Sequence, residues 1–133
     1  MLVNILNILI IIMAAYILID IFRKRRSGYI NITTSKLKEI LDKNDKQIEI
    51  IDLRSSEEYN KSHIFKARNL YFYNFKFKES LKNLDNRKKY VLYCKRGNTS
   101  KTVAFMLRKN GVKTVYNVKG GFCKIRKSSI RLK

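Results

Sequence analysis

At 133 residues the chain has room for one domain of about 100 residues plus one appended segment, and none for a second core. Lys and Arg number 30 against 10 Asp and Glu, a formal charge of +20 that suits a nucleic-acid partner or an anionic membrane surface. Yet Lys, Asn and Ile are abundant while Pro and Trp are absent, so compositional bias gives the same excess, and no lysine block marks a groove-reading element. The two cysteines make no disulfide framework, and a single His leaves no Cys/His zinc site, so neither metal nor cofactor is implied.

Residues 2–19 carry no charged side chain, and extension to Phe22 gives about the 20 apolar residues that a bilayer-spanning helix needs. Asn4, Asn7 and Asp20 lie toward its ends, where polar groups cost little. A cleaved leader carries its positive charge before the apolar run; here Arg23-Lys24-Arg25-Arg26 follows it. A buried helix of the domain would show a polar face, and this segment shows almost none. The expected organisation is a transmembrane helix over 1–22, a basic juxtamembrane linker over 23–28 and one domain over 29–133. The positive-inside rule then predicts a single-pass protein of the cell membrane with its domain in the cytoplasm and a very short N-terminus outside.

Ser27-Gly28 breaks the apolar pattern. Tyr29-Ile30-Asn31-Ile32 alternates like a short strand, and Thr33-Thr34-Ser35 can cap a helix whose Leu37, Ile40 and Leu41 have helical spacing. Residues 48–53 are rich in β-branched side chains and predict a strand that ends in Asp52-Leu53-Arg54. Ser55-Ser56-Glu57-Glu58 has the composition of a helix start, its acids favoured by the dipole, and Ser62-His63-Ile64 keeps that helix short. Residues 67–71 suit a brief strand, while 72–84 mix aromatics and lysines in either a loop or a helix. A strand over 90–93, a helix from about Thr99 to Lys109, the break Asn110-Gly111, a strand over 114–118 and Gly120-Gly121 complete the pattern. Alternating strands and helices imply parallel strands joined by crossovers, hence an α/β sheet covered on both faces. Ligands of such sheets bind outside the carboxyl ends of the strands, which brings Cys94 and Arg54 toward one crevice.

Cys94-Lys95-Arg96-Gly97-Asn98-Thr99-Ser100 lies between a predicted strand and a predicted helix. A cysteine there meets the first amides of a helix, whose unpaired N–H groups and dipole favour a thiolate. Lys95 and Arg96 add positive charge that also attracts an anionic donor, and Gly97 lets the backbone curl. The Thr99 and Ser100 hydroxyls can donate to sulfur or cap the helix.

Taken in order, the motifs resemble those of the rhodanese-like domain family. They are Ile51-Asp52-Leu53-Arg54-Ser55 with Glu57-Glu58-Tyr59, His63-Ile64 with Ala67 and Asn69-Leu70, and Val91-Leu92-Tyr93-Cys94 with the loop through Gly97 to Ser100. Leu107, Gly111, Val115-Tyr116 and Gly120-Gly121 follow. The resemblance implies a rhodanese-like domain, a five-stranded parallel sheet flanked by helices, preceded here by one transmembrane helix. It implies a sulfurtransferase in which Cys94 takes a sulfane sulfur from a small anionic donor such as thiosulfate and passes it to a thiol, cyanide or acceptor protein. The site expected from it has Cys94 as catalytic residue and Lys95, Arg96, Gly97, Asn98, Thr99, Ser100 and Arg54 binding substrate, Arg54 alternatively pairing with Asp52 as framework. His63 is expected as a turn residue. Cys123 is expected as a small apolar residue, or as a thiol that resolves the persulfide.

Two departures stand out: Phe65-Lys66 replaces the usual Pro-Gly after His-Ile, and Ile125 stands where the family commonly has an aromatic, often tryptophan. The related cysteine phosphatases need a Cys-x5-Arg loop, and the arginine position is Ser100 here, which removes the bidentate grip on phosphate. The competing reading is a membrane-tethered binding or scaffold module, which would need neither the cysteine nor its loop. Sulfur delivery to RNA would use the positive charge, but nothing in the lysine distribution requires nucleic acid.

Overall fold

The computed structural model of the chain describes the backbone of residues 1–133 and the side chains of all but Leu2 and residues 23–27. The elements in order are α1 (Leu2–Ser27), β1 (Ile30–Ile32), α2 (Thr34–Asp42), β2 (Ile48–Asp52), α3 (Ser56–Lys61) and β3 (Arg68–Asn69). They continue with α4 (Phe77–Lys82), β4 (Lys89–Tyr93), α5 (Thr99–Lys109), β5 (Thr114–Val118) and α6 (Gly121–Ile125). The strands form one sheet in the order β1-β5-β4-β2-β3, every neighbouring pair parallel. This is the five-stranded parallel sheet flanked by helices that the motifs imply.

Parallel neighbours need crossovers, and the crossover helices bury both faces of the sheet. Strand alternation then sorts the side chains. Tyr90, Leu92 and Cys94 join Ile51, Leu53 and Val115 on the face covered by α4 and α5, against Phe77, Leu81, Val103, Ala104 and Leu107. Val91 and Tyr93 join Ile32, Ile50 and Val118 on the other, against Leu37 and Ile40 of α2 and Ile125 of α6. Ile125 is fully buried in the place where the family commonly carries an aromatic, often tryptophan. The Thr33 hydroxyl accepts from the Lys36 amide at 3.2 Å and the Ser55 hydroxyl from the Glu58 amide at 3.2 Å, so α2 and α3 start at their expected caps.

Three segments differ from the sequence expectation. The strand expected over 67–71 shrinks to Arg68–Asn69, because β3 is an edge strand paired only with β2 through Ile51↔Arg68 and Asp52↔Asn69. The ambiguous stretch 72–84 contains α4, anchored by buried Phe77 and Leu81. The expected linker is helical in its backbone: α1 continues to Ser27 and closes on Gly28, whose φ of 66° is left-handed. The side chains of the basic cluster Arg23-Lys24-Arg25-Arg26 lie outside the described residues.

The C-terminal residues account for the tolerated loss of Pro-Gly. His63 and Lys133 exchange backbone hydrogen bonds of 3.0 and 2.8 Å, and the Phe65 amide bonds the Arg131 carbonyl at 3.1 Å. This short antiparallel clasp holds the turn while Lys66 takes the left-handed conformation, φ 69°, that a glycine would adopt without cost. His63 is a turn residue here: its Nδ1 meets the Tyr59 carbonyl at 2.7 Å and its ring stacks on Tyr59.

Residues Val3–Phe22 of α1 are long and apolar enough to cross a membrane, with a mean hydropathy of 2.6 and none of the segment buried against the domain. A helix that is apolar on all sides and covered by nothing has a large unfavourable surface in water, which lipid would remove.

Candidate active site

Cys94 follows directly on β4, and the loop after it curls back under its sulfur before α5 begins at Thr99. The Gly97 amide donates to Sγ at 3.1 Å, and the Ser100 hydroxyl lies 3.4 Å from it. The sulfur is thus inside a ring of donors, with the residue only 6% exposed. Burial alone pushes the thiol up. The Ser100 hydroxyl and the amides of Ser100, Gly97 and Arg96 outweigh that penalty, so the net shift is downward from the ordinary thiol value. Such a setting favours the thiolate while shielding it from bulk solvent.

The loop owes its path to two glycines. Gly97 has φ 90°, and a Cβ there would approach the Val118 carbonyl oxygen to 3.0 Å. Gly121, φ 55°, lies beneath the loop, where a Cβ would meet the Cys94 carbonyl oxygen at 2.3 Å. The start of α6 holds the loop from below: the Phe122 amide bonds the Cys94 carbonyl at 2.8 Å and the Cys123 amide the Lys95 carbonyl at 3.1 Å. Cys123 itself is partly exposed.

The remaining expected site residues divide into three groups. Lys95, Arg96 and Asn98 are exposed on the rim and Thr99 is half-buried; Lys95 Nζ lies 3.9 Å from Glu58 of α3. These positions can meet an anionic donor. Ser100 is fully buried, so it serves the sulfur atom from below and not the mouth of the crevice.

Arg54, expected either to bind substrate or to pair with Asp52 as framework, is buried and pairs with Asp52, Nη2 to Oδ2 at 2.6 Å with Nε on Oδ1 at 3.0 Å. Nη2 also donates to the Ser62 carbonyl at 2.7 Å, and the guanidinium lies 3.6 Å from the Phe122 ring centroid. With Nε and Nη2 bonded inside, it ties β2, the turn at Ser62 and α6 to one another. Arg54→Lys is therefore expected to cost about 1–3 kcal/mol of stability through the lost fork and ring contact. The KM for an anionic donor should stay within about twofold. Thermal melts and steady-state kinetics check both; a large rise in KM with unchanged stability would return Arg54 to the substrate.

Asn117 is a site residue that the sequence reading missed. It is fully buried, its Oδ1 accepts from the Ser100 hydroxyl at 2.5 Å, and its Nδ2 donates to Asn31 Oδ1 at 2.8 Å. The available signal was a lone amide in the otherwise apolar run Val115-Tyr116-Asn117-Val118.

A family model described as Rhodanese-like domain matches residues 33–128. The chain belongs to that family. Within it, the chain is 36% identical over 84 residues to the thiosulfate sulfurtransferase GlpE of Coxiella burnetii, a match covering 63% of this chain and 75% of that one. It is 37% identical over 79 residues to the uncharacterized protein YqhL of Bacillus subtilis, covering 59% of this chain and 61% of YqhL, so the chain spans less than two thirds of that relative's length. A crystal structure of a rhodanese-like domain protein from Staphylococcus aureus superposes with a TM-score of 0.65 at 28% identity, covering 78% of this chain and 98% of that one. The matched portion contains Cys94, its loop and the glycines beneath it, while α1 lies outside the family match.

Proposed function

We propose that this rhodanese-like domain is a thiosulfate-type sulfurtransferase that carries sulfane sulfur as a persulfide on Cys94. The observation that carries the reading is the ring of donors around Sγ, which favours a thiolate in a buried position and leaves basic residues at the mouth. The Cys94 thiolate attacks the outer sulfur of thiosulfate. The sulfur–sulfur bond of the donor breaks, and sulfite leaves with the bonding pair, giving the Cys94 persulfide. A cyanide or thiolate acceptor then attacks the terminal sulfur, and the Cys94 thiolate departs with its electron pair. No external oxidant or general base is required. Loop amides that steady a thiolate also steady the terminal sulfur as charge moves onto it and off again.

The likeness to a protein named thiosulfate sulfurtransferase supports the donor class. Ser100 at the sixth position after Cys94, buried and without a guanidinium, speaks against phosphoryl transfer. In the same reading α1 anchors the domain to the cell membrane with the site in the cytoplasm, where the thiol stays reduced and soluble donors and acceptors reach it.

The test is turnover of the full-length chain in detergent with thiosulfate and cyanide. Thiocyanate should form catalytically, and p-nitrophenyl phosphate should be left intact. Hydrolysis of the phosphate ester, or inactivity with every sulfane donor, would replace this reading by phosphatase or binding-module function respectively.

A further inference from the structure

Behind the sulfur runs a chain of polar side chains with no hydrophobic role. Sγ of Cys94 meets the Ser100 hydroxyl at 3.4 Å; that hydroxyl donates to Asn117 Oδ1 at 2.5 Å; Asn117 Nδ2 donates to Asn31 Oδ1 at 2.8 Å. Register makes the chain possible. Asn31 of β1 and Asn117 of β5 are direct parallel partners, and Asn117 is paired with Leu92, two residues before Cys94 and on the same face of β4. Ser100 comes down onto that face from the first turn of α5. Cys94, Ser100 and Asn117 are buried and Asn31 is exposed on the edge strand, so the chain connects the nucleophile to the far side of the domain's rim.

Burying an amide inside an apolar layer is costly unless it is satisfied. Among the described residues the Asn117 side chain is bonded to its two neighbours in the chain, and each neighbour can both donate and accept. The chain therefore has two self-consistent directions. In one, the Ser100 proton points to Asn117 and the hydroxyl oxygen can accept from a neutral Cys94 thiol, which leaves the loop amides as the donors to sulfur. Turning both amide planes reverses it: Asn31 donates to Asn117, Asn117 donates to the Ser100 oxygen, and the hydroxyl proton turns to the sulfur. A thiolate gains the Ser100 donor only in the second direction, because it can only accept.

We propose that Asn117 and Asn31 are positioning residues that set the direction of the Ser100 hydroxyl, so that the charge on Cys94 is coupled to the hydrogen-bonding character of position 31 on the exposed edge of β1. The inference rests on Cys94 being the reactive thiol of the proposed function. No atom is transferred along the chain; only its hydrogen-bond direction changes. The other charged or titratable groups on elements around this end of the sheet are Lys95 and Arg96 of the loop, the Asp52–Arg54 pair after β2, and Glu58 of α3. Lys101 of α5, Lys119 after β5, Cys123 and Lys124 of α6 with Arg126 at its end, Tyr93 of β4, His63 beside the Ser62 turn, and Tyr29 and Lys36 flanking β1 belong with them. They act on the sulfur through space, whereas position 31 acts through Ser100.

The experiment measures the pH dependence of iodoacetamide alkylation of the full-length chain carrying Cys123→Ser, so that Cys94 is the one thiol, with no sulfur donor present. Asn31→Asp places an acceptor at the exposed end. It holds the Asn117 NH2 toward itself and the Ser100 proton away from sulfur, and should raise the midpoint by about 0.5–1 pH unit. In a Ser100→Ala background, which cuts the chain, the same Asn31→Asp change should have no effect. An equal rise in both backgrounds would assign the effect to charge through space, and no rise in either would remove the coupling; each overturns the proposal. Because Asn31 is exposed, these variants avoid placing a charge in the core, as Asn117→Asp would. The thiol is read without sulfur loading, so a chain that accepts no sulfur still answers the question, and the two failures stay distinct.

Discussion

Cys94→Ser is expected to reduce thiocyanate formation to the uncatalysed background, a loss of more than about three orders of magnitude. The variant should fold as well as the parent. The hydroxyl can accept from the Gly97 amide, 3.1 Å from Sγ in the parent, and stand beside Ser100, so the donors of the loop keep a partner. A serine at an ordinary hydroxyl pKa offers almost no alkoxide near neutral pH, and among the described residues the partners of Sγ are the Gly97 amide and the Ser100 hydroxyl, neither of them a general base. Its attack on sulfane sulfur would also leave an unstable oxygen–sulfur adduct. Residual turnover within about tenfold of the parent, in material free of wild-type contamination, would move the chemistry elsewhere in the molecule, with Cys123 the first place to look.

Gly121→Ala is expected to injure fold and activity together. The added methyl would need to stand 2.3 Å from the Cys94 carbonyl oxygen and 2.8 Å from the Arg96 nitrogen, and both obstacles are backbone. The residue must also hold φ 55°, where a side chain costs about 1–2 kcal/mol even in open space. Adding the shift needed to clear the loop gives roughly 2–4 kcal/mol of destabilisation. In a domain of this size that lowers the melting temperature by roughly 10–20 °C. The loop can relieve the clash only by moving away from α6, giving up the Phe122 and Cys123 amide bonds that hold it. The amides then no longer converge on sulfur, so alkylation near pH 7 should slow as the thiol returns toward its ordinary value. Gly120→Ala makes a useful comparison, because its Cβ would meet the flexible side chain of Lys124, which can move aside. Equal behaviour of the two variants would show that the close approach to the loop is not what position 121 supplies.

The parts of this molecule legible in the sequence are those whose physics is local. The run Tyr90-Val91-Leu92-Tyr93, the loop glycine and the helical spacing of Val103, Ala104 and Leu107 each announce their structure within a few residues, and together they placed Cys94 at a strand-to-helix turn. The two capped helices α2 and α3 were legible for the same reason. What required the folded chain was non-local. Phe75 and Phe77 look alike in sequence, yet one is 90% exposed and the other 4%, and only docking against Leu81 and Leu84 separates them and reveals α4. The clasp between residues 63–65 and 131–133 joins segments far apart in the chain, so in the sequence Phe65-Lys66 shows only as a departure from the family pattern. Arg54 illustrates the same limit from the other side. Its position at the end of β2 pointed to the crevice, but whether a long side chain reaches a ligand or folds back on Asp52 depends on which donors and acceptors surround it. The Asn31–Asn117 contact exists only through strand register, which composition and spacing do not encode.

These distinctions matter for function because they separate the residues that touch sulfur from those that hold the site. In the proposed reaction, Cys94 and the loop donors act on the transferred sulfur. Arg54, Gly121 and the α6 amides keep that loop in place, while Lys95, Arg96 and Asn98 face the solution where a donor or acceptor arrives.

The most direct measurement is the intact mass of the full-length chain after brief exposure to thiosulfate. The account predicts a gain of one sulfur atom, located on the peptide containing Cys94, lost on addition of cyanide and absent from Cys94→Ser. A chain that keeps its parent mass with thiosulfate, polysulfide and glutathione persulfide alike, while its Cys94 remains free and alkylatable, would contradict it.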